Sequence, residues 1–222
     1  FIALSFWMPV LPANKKESIK SQLAFFTRIN AWYIILITAI GFGGLFCWIS
    51  YIAPLLTKIS GFSPESVSSI LILAGFGMVV GNFLGAKLAD RYSPAKTILI
   101  LLLAMALDLT LVLYASSEQW ISLTLVFLTG CISFAVVAPI QMLMIQTAVG
   151  AEMIASAALQ ASFNIGNALG AFLGGIPLVM GYDFTSPNFV GLLMALTGAV
   201  ITSAFILRMK KDRLQAVSGS RP

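Results

Sequence analysis

Residues 66–96 read SVSSILILAGFGMVVGNFLGAKLADRYSPAK, and this stretch decides the fold. It carries no charge from Ser66 to Ala86, and then Lys87, Asp90, Arg91 and Lys96 follow in close succession. A helix needs about 20 apolar residues to cross a bilayer, and the uncharged run supplies them. The basic cluster behind it marks the side on which that helix ends. The same alternation runs through the whole chain. No charged residue lies between Arg28 and Lys58, Glu65 and Lys87, Glu118 and Glu152, Glu152 and Asp183, or Asp183 and Arg208, and between Lys96 and Glu118 there is only Asp108. Six spans are predicted, over residues 31–55, 66–88, 95–116, 119–143, 153–180 and 188–208.

With six spans, twelve of the thirteen Lys and Arg residues fall on one side: Lys15, Lys16, Lys20, Arg28, Lys87, Arg91, Lys96, Arg208, Lys210, Lys211, Arg213 and Arg221. The other side keeps Lys58 alone. An excess of this kind marks the cytoplasmic side, and dropping one span would scatter it. The expected class is therefore an all-α, multi-pass membrane protein with both ends of its six-helix unit in the cytoplasm.

A chain that is 59% hydrophobic and 9% charged is excluded from the ordinary soluble domains. Its net charge of +5 is the cytoplasmic anchor set, so no nucleic-acid partner is expected. Histidine is absent, which removes the commonest metal ligand and general base. An intramembrane protease needs a Ser–His or metal constellation, and without His or paired mid-membrane acids none can be assembled. No enzyme activity, cofactor or metal is expected. Cys47 and Cys131 both lie inside spans, where they behave as small apolar residues and no disulfide is expected.

Residues 1–12 (FIALSFWMPVLP) are too short to span and lack a basic leader region. They read as the tail of a preceding helix, and the chain as part of a larger protein. Residues 13–29 form a basic cytoplasmic linker, with Phe25 and Phe26 expected at the interface. Residues 30–209 form the six-helix transmembrane unit, and 210–222 a cytoplasmic tail, disordered beyond Asp212. Ser-Pro pairs at 63–64, 93–94 and 186–187 suit helix starts, Ser as cap and Pro as first helical residue. Short connections predict that consecutive helices pack as antiparallel neighbours.

Two spans carry glycine at helical spacing. Gly77, Gly81 and Gly85 recur every four residues, as do Gly166, Gly170 and Gly174, the latter extended upstream by Ser162 and Ala158. Small residues at this spacing let two helix backbones approach closely in a membrane, either as static packing or as a sliding contact in a moving transporter. Beside the second stripe, Gln160, Asn164 and Asn167 place three amides on one face. A polar face cannot meet lipid cheaply, so it binds a neighbouring helix or lines a cavity for a solute. Trp48 and Tyr51, three residues apart in the first span, belong either to an interfacial aromatic belt or to a pocket that stacks on a sugar ring or apolar solute. In the fourth span Pro139 predicts a kink, with Gln141 just beyond it. Asp108 lies near mid-depth, where an acid is by default a proton- or ion-coupling candidate, or else is turned inward for packing.

The residues so placed resemble the second half of a major facilitator superfamily transporter of the drug and sugar efflux group, the arabinose efflux permease-like transporters. FCWISYIAPLLTKISGFSPE (46–65) is similar to that group's seventh helix and following loop. GFGMVVGNFLGAKLADRYSPAK (75–96) resembles its eighth helix and a copy of the cytoplasmic motif GxxxDRxGRR. Here Asp90 and Arg91 match, Ala86 and Ser93 stand where glycines are expected, and Lys96 keeps a basic position. APIQMLMIQTA (138–148) and ASFNIGNALGAFLGG (161–175) resemble the tenth and eleventh helices. The resemblance implies a twelve-helix fold of which this is the second six-helix half, and alternating-access efflux of a sugar or small amphipathic solute in exchange for protons. It implies a substrate cavity at Trp48, Tyr51, Gln141, Gln160, Asn164 and Asn167 and a cytoplasmic gate at Lys87, Asp90 and Arg91, with Asp90 favoured by the dipole of the helix that follows. Partners would be the solute, protons, the bilayer and a first six-helix half. A self-contained six-helix transporter or channel subunit acting as a dimer is the alternative.

Overall fold

The computed structural model describes residues 22–218. The proposed helix tail at 1–12, most of the linker and the last residues of the tail lie outside the described residues. Among the described residues six helices are long and apolar enough to cross a membrane: α1 (Ile29–Ile49), α2 (Pro64–Tyr92), α3 (Pro94–Ala115), α4 (Gln119–Thr147), α5 (Glu152–Val179) and α6 (Ser186–Asp212). No strand occurs among the described residues. The chain is a six-helix membrane bundle, as the charge pattern predicts.

Local chemistry adjusts the boundaries. The first span was expected to run on to residue 55, but α1 stops at Ile49. Pro54 has no N–H to offer the Ser50 carbonyl, and Tyr51 leaves the helical region at φ −121°, ψ 13°. Short turns over Ile52–Pro54 and Leu55–Ile59 finish the crossing. In α4, Val136 separates Gln119–Ala135 from Val137–Thr147. Pro139 causes the break, because it cannot donate to the Ala135 carbonyl and its ring crowds that oxygen. Prolines do open α2 and α3 at their first turns, but neither Ser63 nor Ser93 bonds the helix end through its side chain. Ser93 is instead the whole turn between α2 and α3, with φ 107° and ψ 144°. Phe25, expected at the interface, is fully buried in the core, while Phe26 stays partly exposed against it.

Connectivity does not choose the neighbours. The most extensive seams join α2 to α4, α1 to α5, α1 to α6 and α3 to α6, with α3 also against α4, whereas α1 and α2 share little contact despite their short link. Exchanging α1 with α4, α2 with α5 and α3 with α6 reproduces this pattern. The bundle is thus two three-helix units of opposite direction, the inverted repeat common in transporters.

Glycine explains the two equivalent seams. A Cβ on Gly77, Gly81 or Gly85 of α2 would collide with the backbone carbonyls of Phe127, Cys131 or Ala135 of α4. On α5, a Cβ at Gly166 would stand 3.0 Å from the Ala39 carbonyl, and one at Gly170 would collide with that of Gly43. Ser162 continues the second stripe, buried, its hydroxyl donating to Ala158 O at 2.7 Å. Each seam is backbone against backbone, so dispersion and Cα–H contacts replace side-chain interdigitation.

Candidate functional site

The amide face of α5 lies apart from its glycine seam. Gln160 and Asn164 are exposed and Asn167 is half-buried, with its Oδ1 shielded from solvent and without a hydrogen-bond partner. None of the three bonds another described residue. Interhelical hydrogen bonding among the described residues therefore does not account for them. Gln141 is likewise exposed, two residues beyond the buried Pro139 of α4.

The aromatic pair differs in burial. Trp48 is 1% exposed and packs inside the bundle, its Nε1 unpartnered, so it neither forms part of a surface belt nor lines an open pocket of this half. Tyr51 sits beyond the end of α1, its N–H donating to Trp48 O at 3.1 Å. Its hydroxyl crosses to α5 and donates to Ala171 O at 2.8 Å. There it closes one wall of a largely apolar recess of about 480 Å3, with Phe172, Gly175 and Ile176 on the other.

Asp108 is 3% exposed on α3. Its Oδ2 lies within hydrogen-bond distance of the Thr129 hydroxyl oxygen of α4, at 2.6 Å, and its Oδ1 has no partner. No described basic residue forms an ion pair with it. Among the described residues the one ion pair is Arg208 with Asp212 on α6, 3.9 Å apart.

Lys87, Asp90 and Arg91 occupy the last turns of α2 and are exposed. This corrects the expectation for Asp90: it stands at the carbonyl end of its own helix rather than at the start of the next. Arg91 lies over the Tyr92 ring, 5.3 Å from its centroid. Nothing in the described chain engages these three as a closed gate.

Two cross-bundle ties were missed in the sequence. Arg28, just ahead of α1, donates to Thr147 O at 3.1 Å and to Val149 O at 3.2 and 3.3 Å, satisfying carbonyls at the end of α4. Gln119, at the start of α4, donates to Gly61 O at 3.1 Å, in the loop after α1. The two contacts are counterparts under the exchange of the three-helix units, charged at the basic end and neutral at the other. At that other end Lys58 stands 4.8 Å over the Phe184 ring. Beside it Thr185 donates from its hydroxyl and its N–H to Asp183, and these bonds hold the Asp183 carboxyl below its ordinary range.

Comparison with known proteins places this architecture. The family model described as Major Facilitator Superfamily matches residues 1–158 and 34–221. The chain is 34% identical over 211 residues to the putative transporter AraJ of Escherichia coli (strain K12), covering 95% of this chain and 53% of that protein. It is 32% identical over 219 residues to the inner membrane transport protein YdhP of the same strain, covering 99% and 56%. A probable sugar efflux transporter of Helicobacter pylori (strain G27) is 30% identical over 209 residues, covering 92% and 53%. The chain spans about half the length of these curated relatives.

Proposed function

This chain belongs to the major facilitator superfamily, and on that premise we propose that it is the second six-helix half of an inner-membrane efflux transporter. The protein exports a sugar or small amphipathic solute by alternating access, in exchange for protons. Its basic end, with the linker at 13–29 and the tail at 210–222, faces the cytoplasm. The observation that carries this reading is the outward amide face of α5. Gln160, Asn164 and Asn167 find no partner among the described residues, and a membrane helix tolerates such a face only against protein or water. A cavity formed with a first half supplies both.

In this reading the amides, with Gln141, hydrogen-bond the solute's hydroxyl or amide groups. Tyr51 contributes the edge of the apolar recess, and Trp48 supports the wall from behind. Asp108 carries the coupling proton. Lys87, Asp90 and Arg91 meet the first half's cytoplasmic ends when the inner side closes. Relatives named as transporters support a non-enzymatic role.

The test is export of labelled sugar and of a fluorescent amphipathic dye by the full-length protein carrying Asn164→Ala and Asn167→Ala. A hydrogen bond contributes about 0.5–1.5 kcal/mol, so losing two should slow export about tenfold at unchanged membrane abundance. Reduced abundance alone would assign the amides to packing, and normal export would remove them from the cavity.

A further inference from the structure

The basic end of the bundle holds a cavity that the transport reading does not use. It measures about 550 Å3 and opens where the α2–α3 turn, the end of α4 and the end of α6 meet. Its floor is apolar, with Leu143 and Phe205 buried. Its rim is polar and exposed: Tyr92, Ser93, Lys96 and Lys210. Neither lysine has an ion-pair partner among the described residues, and the acid nearby in sequence on α6, Asp212, faces Arg208. No side chain caps the first turn of α3, so its N–H groups add positive potential at the same rim.

Two cations above a hydrophobic floor at the end of a membrane bundle match one ligand chemistry, a phosphate ester joined to hydrocarbon. We propose that this cavity binds the headgroup of an anionic phospholipid, with Lys96 and Lys210 on the phosphate and the acyl chains leaving along the apolar floor. Basic pockets between helices at the cytoplasmic surface recognise anionic lipids on this principle. The chain's own linker is an unsuitable occupant, because Lys15, Lys16 and Lys20 repeat the charge of the rim. A neighbouring cavity of about 400 Å3 shares Gln146 and Met209 with this one and brings Arg28 to its far side. Arg28 is already committed to the α4 carbonyls, so the site centres on the two lysines.

The experiment is native mass spectrometry of the full-length protein in a neutral detergent, titrated with dioleoyl phosphatidylglycerol or dioleoyl phosphatidylcholine. A basic residue near an anionic lipid is worth about a fivefold gain in binding. Lys96→Gln with Lys210→Gln should therefore weaken phosphatidylglycerol binding about thirtyfold. Lys96→Arg with Lys210→Arg should retain it, as should Lys58→Gln at the opposite end. Each single Gln variant should lose about fivefold, so the site stays testable if the double variant fails to fold. Undiminished binding by the Gln variants overturns the proposal, as does equal binding of phosphatidylcholine. Displacement of the lipid by millimolar inorganic phosphate overturns the lipid assignment in favour of a soluble anion. The inference rests on the proposed orientation for the leaflet alone; the readout is binding in detergent and is independent of export.

Discussion

The Thr129 hydroxyl lies 2.6 Å from Asp108 Oδ2 and 2.7 Å from the Leu125 carbonyl of its own helix. A hydroxyl has one hydrogen to give. Threonines elsewhere in the bundle, such as Thr110, Thr147 and Thr202, donate it to the carbonyl four residues back. If Thr129 does the same, the short bond to Asp108 closes when the carboxyl supplies the proton. An ionised Asp108 would compete with Leu125 for that hydrogen and leave Oδ1 a buried, unpartnered anion. The contact is compatible with the proton-carrying role proposed above for Asp108.

For Asp108→Asn, which keeps the shape and a donor but cannot release a proton, we expect unchanged membrane abundance and loss of pH-gradient-driven export. Vesicle assays with and without an imposed gradient read both quantities. A variant that still exports in response to the gradient would place coupling elsewhere in the protein.

The glycine seams make a graded prediction. Gly81→Ala puts a methyl into the Cys131 backbone, where no rotamer can relieve it, and should destabilise by about 1–3 kcal/mol, the usual cost of overpacking. Gly75→Ala, on the same helix with no atom within 4 Å of its Cβ, should be neutral or stabilising by up to about 1 kcal/mol. Thermal unfolding of the two full-length variants in one detergent compares them directly. Equal effects would mean that helix propensity, rather than the seam, sets the cost.

Ser93 occupies a backbone conformation that glycine adopts freely and other residues enter at a cost of about 1–3 kcal/mol. Ser93→Gly should raise stability by about 1 kcal/mol, since the relief is offset by the greater freedom of the unfolded chain. A melting temperature at or below that of the parent would show that the turn is unstrained. The glycine of the motif GxxxDRxGRR at this position thus has a conformational reason.

The spans were legible because charge and hydropathy are one-dimensional properties. The gaps between Arg28, Lys58, Glu65 and Lys87 bracket α1 and α2 whatever the tertiary packing. Helix partners were legible only in part. Gly77, Gly81 and Gly85 announced a close seam, but nothing local says that it closes on α4 rather than on α1. The site was less legible still. Spacing could not show that Trp48 is buried in the bundle while Tyr51 stays partly exposed, because packing against α5 and α6 decides it. Arg28 looked like one of many anchor charges, because its acceptors are backbone carbonyls more than a hundred residues away. Lys96 and Lys210 are brought to one cavity by the α3–α6 seam alone.

Where α2 meets α4 and α5 meets α1, there are few side chains whose rotamers could be exchanged for others. Such joints have one arrangement and resist sliding, since any shift drives carbonyls into the opposing backbone. The bundle should therefore move as a single stiff body. Flexing is left to the places where the helices are already interrupted, around Tyr51 and Val136.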